Sequence, residues 1–357
     1  MKITKLAALA ATASVTSFAS PALAIPTYSH VVVVIEENED PSAFTSAANA
    51  PYINGTLIPG GTVLTNSQAI GHPSEPNYLQ LFSGSAQGTQ GTDGPVPGSL
   101  APAGSPSTGT GLNVPNLGAS VIAAGKTFAG YSENLSSAAD PLAYNAGGAS
   151  GALYARKHNP WSDFISSVGG QYTLPASTNQ DFSNFQAIST SGNFASLPTL
   201  SFVAPNQCND AHGTAADCPT NSVNIGLADT FLKNNLSAYA TWAKANNSLL
   251  IVTTDEGNTT IGTDPATGLP LTNVLTVLYG AGIAPGGSIG TAINEYGLCG
   301  LIANAEQASA PAACGSAAAQ AQAVSVAAQL STVPEPASLA LLGFGSLALL
   351  VRRRLAG

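Results

Sequence analysis

Runs of β-branched residues recur along this chain, each followed by a polar cluster and then by apolar residues at helical spacing. The first, Ser29 to Ile35 (SHVVVVI), is apolar without a break after His30, as in a strand buried on both faces of a parallel sheet. Thr62 to Ile70, Thr127 to Tyr131, Leu200 to Ala204, Ser248 to Thr253 and Val274 to Tyr279 read as further strands. Helical spacing marks Tyr78 to Phe82, Asn116 to Ala124 and Ala228 to Ala245. Such repeated strand–loop–helix units predict an α/β fold, a mixed, mainly parallel sheet flanked by helices in a single domain. Gly84 to Pro115 has no periodicity and is rich in Gly, Ser, Thr and Pro, which predicts a long surface loop.

In open α/β sheets, ligand sites gather beyond the C-terminal ends of the strands. That edge is polar here. The first strand runs into Glu36-Glu37-Asn38, Leu200 to Ala204 into Pro205-Asn206 and on to Asp210 and His212, and Ser248 to Thr253 into Asp255-Glu256-Gly257. The tightest junction is Gly71-His72-Pro73-Ser74-Glu75-Pro76-Asn77, between a strand and a helix. Pro76 is tolerable because the first helical turn has no internal N–H partners. Ser74 then stands where backbone N–H groups and the helix dipole favour an anion such as phosphate. On local pattern it is either a helix cap or a nucleophile.

Composition adds the cellular setting. The chain has 357 residues, with 44% hydrophobic and 8% charged. Met1 to Ala24 carries Lys2 and Lys5, an apolar stretch and Ala22-Leu23-Ala24, a secretory signal with a small-residue cleavage site. The working domain is expected over 25–330. At the other end, Val333-Pro334-Glu335-Pro336 precedes ASLALLGFGSLALLV and Arg352-Arg353-Arg354. This 331–357 segment resembles the PEP-CTERM sorting signal, which implies transient anchoring of a C-terminal helix in the inner membrane and processing by an exosortase-type enzyme. The destination is then the periplasm, the outer surface or the extracellular matrix.

Without both ends, the cations that remain are Lys126, Arg156, Lys157, Lys233 and Lys244. So acidic a chain is unsuited to nucleic acid, whose binding depends on neutralising phosphates. Arg156-Lys157-His158-Asn159-Pro160-Trp161 is the one cationic cluster and would suit an anionic substrate. Cys208 and Cys218, and Cys299 and Cys314, lie close in sequence; local pairing is simplest in an oxidising compartment, though four cysteines permit three connectivities.

Taken in order, Glu37-Asn38, His72-Pro73-Ser74-Glu75-Pro76-Asn77-Tyr78, Lys157-His158-Asn159-Pro160, Pro205-Asn206 through Asp210 and His212, and Asp255-Glu256-Gly257 resemble one family. It is the phosphoesterase family of bacterial acid phosphatases and phospholipases C, in the alkaline phosphatase superfamily. The resemblance runs from about Ser29 to Gln329. It implies an alkaline phosphatase-like fold, a phosphate-ester substrate and Ser74 as the nucleophile, forming a phosphoserine. Glu37, Asn38, Ser74, Asp255 and Glu256 would hold a single divalent metal ion, with Ca²⁺, Mg²⁺ or Mn²⁺ favoured by oxygen ligands and Fe or Zn also possible. Asn77, Lys157, Asn206 and Asp210 would contact substrate, while His158 and His212 would stabilise phosphoryl charge or protonate the leaving oxygen.

The family pattern breaks at two places. One is that Asp255-Glu256 lacks a following histidine of the type used in two-metal alkaline phosphatases, which favours one metal ion. Where relatives carry a His-Tyr pair, this chain reads Asn294-Glu295-Tyr296, and a carboxylate beside phosphate repels it unless it binds a cation. Phosphate-monoester hydrolysis leads among the activities implied. Phosphodiester cleavage of the phospholipase C kind, and a non-catalytic exopolysaccharide-associated surface protein, are the alternatives.

Overall fold

The computed structural model describes residues 26–331, apart from 47, 49, 95, 100–108, 136–152, 167, 214–217, 219–223 and 266. The expected signal segment and the C-terminal sorting segment from 332 onward therefore lie outside the described residues. The strands are β1 (His30–Glu36), β2 (Thr62–Leu64), β3 (Ser67–Ile70), β4 (Phe128–Ser132), β5 (Asn179–Asp181) and β6 (Leu200–Ala204). After them come β7 (Ser248–Thr254), β8 (Thr260–Thr263), β9 (Pro270–Asn273), β10 (Thr276–Gly280), β11 (Gly287–Ile289) and β12 (Ile293–Asn294). The helices are α1 (Pro41–Ser46), α2 (Ile58–Gly60), α3 (Ser74–Ser83), α4 (Leu117–Ala123), α5 (Phe182–Ser191), α6 (Asn224–Ala245), α7 (Glu295–Ala305) and α8 (Ala317–Ser331).

Eight strands form the main sheet in the order β11-β2-β10-β7-β1-β6-β4-β5. From β7 to β5 every neighbour pair is parallel, while β10 runs antiparallel to both β7 and β2. The fold is thus the mixed, mainly parallel α/β sheet that the hydrophobic pattern predicts. Alternation along β1 divides the core. Val31, Val33 and Ile35 pack with Leu79 and Phe82 of α3, Leu117 and Val121 of α4, and Leu298 and Ile302 of α7. Val32 and Val34 face the other way, toward Phe185 of α5 and Phe231, Leu232 and Leu236 of α6.

Thr62 to Ile70 differs from the expectation of one strand. Thr65 and Asn66 make a turn, so that β2 joins the main sheet while β3 joins a second sheet of order β12-β3-β9-β8. Asn is among the residues that favour turns, and the Thr65-Asn66 turn redirects the chain toward Ser74. The loop expected after Gly84 is irregular wherever it is described, up to α4.

Both disulfides are local: Cys208 with Cys218, and Cys299 with Cys314. The described ends of the chain meet at the N-terminal edge of the parallel strands. Tyr28 N–H bonds to the Ala305 carbonyl at 3.3 Å, and Pro26, Tyr28, Leu249, Ala305 and Leu330 border one small apolar cavity.

Candidate active site

The parallel register brings the polar strand ends together. Glu36 stands opposite Thr254 across β1 and β7, so Glu37 and Asp255 are neighbours just beyond the ladder. Asp255 N–H donates to the Glu36 carbonyl at 3.0 Å, and Glu37 N–H donates to the Asp210 carbonyl at 2.6 Å. Glu37 continues the Val31-Val33-Ile35 alternation, which aims it at the face covered by α3. Glu36 falls on the opposite face, buried among other acids, and its carboxyl is pushed well up by burial and then by the charges of Asp210 and Glu133.

Into this cluster α3 delivers the serine. Gly71, at φ 106°, adopts a conformation open mainly to glycine and turns the chain out of β3. The His72–Pro73 peptide is cis, and Ser74 opens the helix. Ser74 Oγ donates to Glu37 Oε2 at 3.1 Å and lies 3.4 Å from Glu256 Oε1. Ser74 caps no helix N–H with its side chain: Pro73 is the N-cap. Asn77, one turn on, donates its amide to Glu256 Oε2 at 3.1 Å and to the Gly71 and Pro73 carbonyls. Its Oδ1 is buried without a protein partner.

The histidines close the other side. His158 is buried with Nε2 2.9 Å from Glu37 Oε1 and Nδ1 3.2 Å from Asp210 Oδ2. The Tyr78 ring stacks on it at 5.2 Å and 8°. Burial alone would lower the His158 pKa, but the Glu37 and Asp210 carboxylates outweigh it and hold the imidazole up at about 9. Burial likewise works to raise Glu37, and His158, His212 and Lys157 together bring it down to about 2. His212 Nε2 is 3.9 Å from Glu37 Oε2, and burial lowers its pKa below the usual value. Asp210 Oδ1 accepts the His212 backbone N–H at 2.8 Å, so one carboxylate orients both histidines.

Asn206 lies farther back. It accepts backbone N–H bonds from Cys208 and Asn209, and donates its amide to Asn134 Oδ1 at 2.7 Å. Asn206 and Asp210, expected against substrate, thus bond to groups within the protein and shape the loop carrying His212. Lys157 Nζ pairs with Asp93 Oδ2 at 2.7 Å, and Arg156 turns away to Asp163.

The metal-ligand expectation can be tested on the donors themselves. Asp255 Oδ1 accepts the N–H of Asn38 and of Glu256, leaving Oδ2 buried without a protein partner. Burial and then the Glu37 and Glu256 charges push Asp255 well up; burial and then Glu37 push Glu256 to about 8. Carboxylates crowded enough to raise one another, around a serine oxygen, are a donor set that fits a hard divalent cation. They do not form a finished cage: among the described residues, no group of three or more His, Cys, Asp or Glu side chains is gathered for a metal.

Two residues were less legible in the sequence. His72 Nδ1 lies 2.8 Å from Glu256 Oε2, which places it on the cluster, where the motif alone suggested a turn as readily. Asp93 comes from the aperiodic loop, and no sequence signal marks it. Glu295, the departure from the family pattern, starts α7 behind the serine turn. Its Oε1 accepts the Ile70 N–H at 3.1 Å, and burial holds its carboxyl well above the usual range, favouring the uncharged acid.

A serine wedged between carboxylates, with an imidazolium, a second histidine and a lysine at the same strand edge, belongs to a hydrolase of phosphoric esters. The chain is a member of the phosphoesterase family, whose model matches residues 43–261. It is 37% identical to phosphatidylinositol-3-phosphatase of Mycobacterium tuberculosis over 265 residues, covering 74% of this chain and 73% of the relative. It is 29% identical to phosphate-repressible acid phosphatase of Penicillium chrysogenum over 204 residues, covering 57% of this chain and 43% of that one. A solved alkaline phosphatase superfamily protein from Vibrio parahaemolyticus aligns with a TM-score of 0.49 at 10% identity, over 80% of this chain and 68% of that one. Residues 332–354 match the PEP-CTERM protein-sorting motif, which implies exosortase processing and sorting beyond the cytoplasm. Among the described residues, no helix is long and apolar enough to cross a membrane; the expected span lies beyond them.

Proposed function

We propose that the protein is an exported, metal-dependent phosphoesterase that hydrolyses phosphate monoesters through Ser74. The observation that carries this reading is Ser74 Oγ, 3.1 Å from Glu37 and 3.4 Å from Glu256 at the first turn of α3. Glu37, Asn38, Ser74, Asp255 and Glu256 would hold one divalent ion. Bound there, it would favour the ionised serine and balance phosphoryl charge.

The chain's own groups supply the remaining steps. Ser74 Oγ gives up its proton to the adjoining carboxylates and forms the bond to phosphorus as the ester P–O bond breaks. His158, fixed on both nitrogens by carboxylates, acts as a buried positive charge facing the developing anion. His212 is the acid that protonates the leaving oxygen. Since burial lowers its pKa, the protonated form is populated in acidic medium, and the rate of this step rises as pH falls. Water then cleaves the phosphoserine and returns the proton to Oγ. Both curated relatives are named phosphatases, which supports monoester over diester cleavage.

The test is hydrolysis of p-nitrophenyl phosphate beside its bis-ester, with and without a chelator. The monoester is expected to be the faster substrate, chelation to stop turnover, and Ser74→Ala to cost roughly a thousandfold or more in kcat. Wild-type rates in Ser74→Ala would remove the serine from the reaction.

A further inference from the structure

Asp93 belongs to the aperiodic segment that the family motifs do not cover, yet its carboxylate reaches the mouth of the site. Oδ1 accepts the Glu75 backbone N–H at 3.0 Å, one residue past the nucleophile, and Oδ2 pairs with Lys157 Nζ at 2.7 Å. In return the Glu75 carboxyl accepts the N–H of Gly94, so the loop and the first turn of α3 hold each other reciprocally. The two side chains of the ion pair are 24% and 16% exposed, which leaves the pair open to exchange with a solute anion. Lys157 also feels Glu37 and Asp255, and the Asp93 charge acts in turn on Glu256 and His212, so the pair adjoins the candidate site.

A first-turn backbone N–H beside a nucleophilic serine, and an ammonium group across from it, are the donors a phosphoryl oxygen takes. Here one carboxylate takes both. We infer that Asp93 is an internal anion that competes with the phosphoryl oxygens of substrate and product for Lys157 and the Glu75 N–H. This rests on the phosphoester reading of the site. An ester or phosphate must displace Asp93 to gain these two donors, and the carboxylate returns to them as inorganic phosphate leaves. Its effect is to weaken product retention.

Asp93→Asn isolates the effect, because the amide oxygen still accepts from Glu75 N–H while the negative charge that neutralises Lys157 is removed. Inorganic phosphate is titrated calorimetrically into the full wild-type chain, Asp93→Asn, Asp93→Ser, and Asp93→Asn combined with Lys157→Met. Melting temperatures establish which variants are folded. Phosphate is expected to bind Asp93→Asn roughly five- to tenfold more tightly than wild type, from loss of one charge-assisted contact in a partly exposed pair. Asp93→Ser should shift the same way, and adding Lys157→Met should cancel the gain. Unchanged or weaker phosphate binding in either folded single variant overturns the inference, weaker binding making Asp93 a positioning residue for Lys157. A wild-type chain that neither hydrolyses esters nor binds phosphate would overturn the functional reading beneath it. An active wild type with an unresponsive Asp93→Asn removes only the role of Asp93.

Discussion

For single side chains in this molecule, the balance between burial and charged partners decides whether a group carries charge. Glu306, fully buried at the end of α7, pairs with Lys126 Nζ at 3.1 Å. Burial raises its carboxyl from 4.5 to about 7 despite the lysine. The folded protein therefore keeps a proton that the unfolded chain releases above pH 4.5. This group's contribution to stability is complete below that pH and is lost as pH rises through 7. A thermal melt series from pH 5 to pH 8 should show a falling midpoint, and Glu306→Gln should flatten the slope in that window. An identical slope in the variant would remove Glu306 as the cause. Within the site the same balance runs the other way for His158, whose two carboxylate partners overcome burial.

At the scale of elements, what matters is how closely strands and turns can approach. Gly130 in β4 lies against the Trp161 ring, where an added Cβ would land within the indole, and Trp161 Nε1–H is itself bonded to Asn179 Oδ1 at 2.7 Å. Gly130→Ala should cost about 1–3 kcal/mol, as overpacking of a fixed core does. Denaturant unfolding monitored at the tryptophans measures it; a cost near zero would mean that Trp161 moves freely. These elements were partly written in the sequence. SHVVVVI reads as a doubly buried strand because every position is covered, and β1 lies at that spot with its polar end at the site. Thr62 to Ile70 misled because apolar residues stand at both ends of it, Val63-Leu64 and Ala69-Ile70, and the polar stretch from Thr65 to Gln68 holds a turn at Thr65-Asn66 where one strand was expected to continue. The short strands β8, β11 and β12 left no run long enough to read. Ser74, Glu37, His158 and Asp255 were legible because a motif fixes their spacing. Asp93 was not, since its role depends on where an aperiodic loop closes in space.

At the scale of the whole molecule, layers of helix cover a sheet whose polar edge holds the candidate site. The Cys299–Cys314 bridge fastens α7 to the turn before α8, closing a separation of 15 residues. Replacing both cysteines with serine should cost about 3 kcal/mol, in line with loop-closure estimates for this length. Equal stability of the reduced and oxidised protein would show that packing between α7 and α8 suffices without it. The described ends of the chain, Pro26 and Leu330, border one cavity at the N-terminal edge of the sheet, and the sorting motif begins just after α8. The serine stands at the other edge, about 20 Å away by the length of β1 at the usual strand rise. The chain therefore leaves the described residues at the edge of the sheet opposite Ser74. On the proposed reading, the candidate site and the point where the sorting motif begins lie at opposite edges of the sheet, which leaves the mouth of the site open to esters in the surrounding medium.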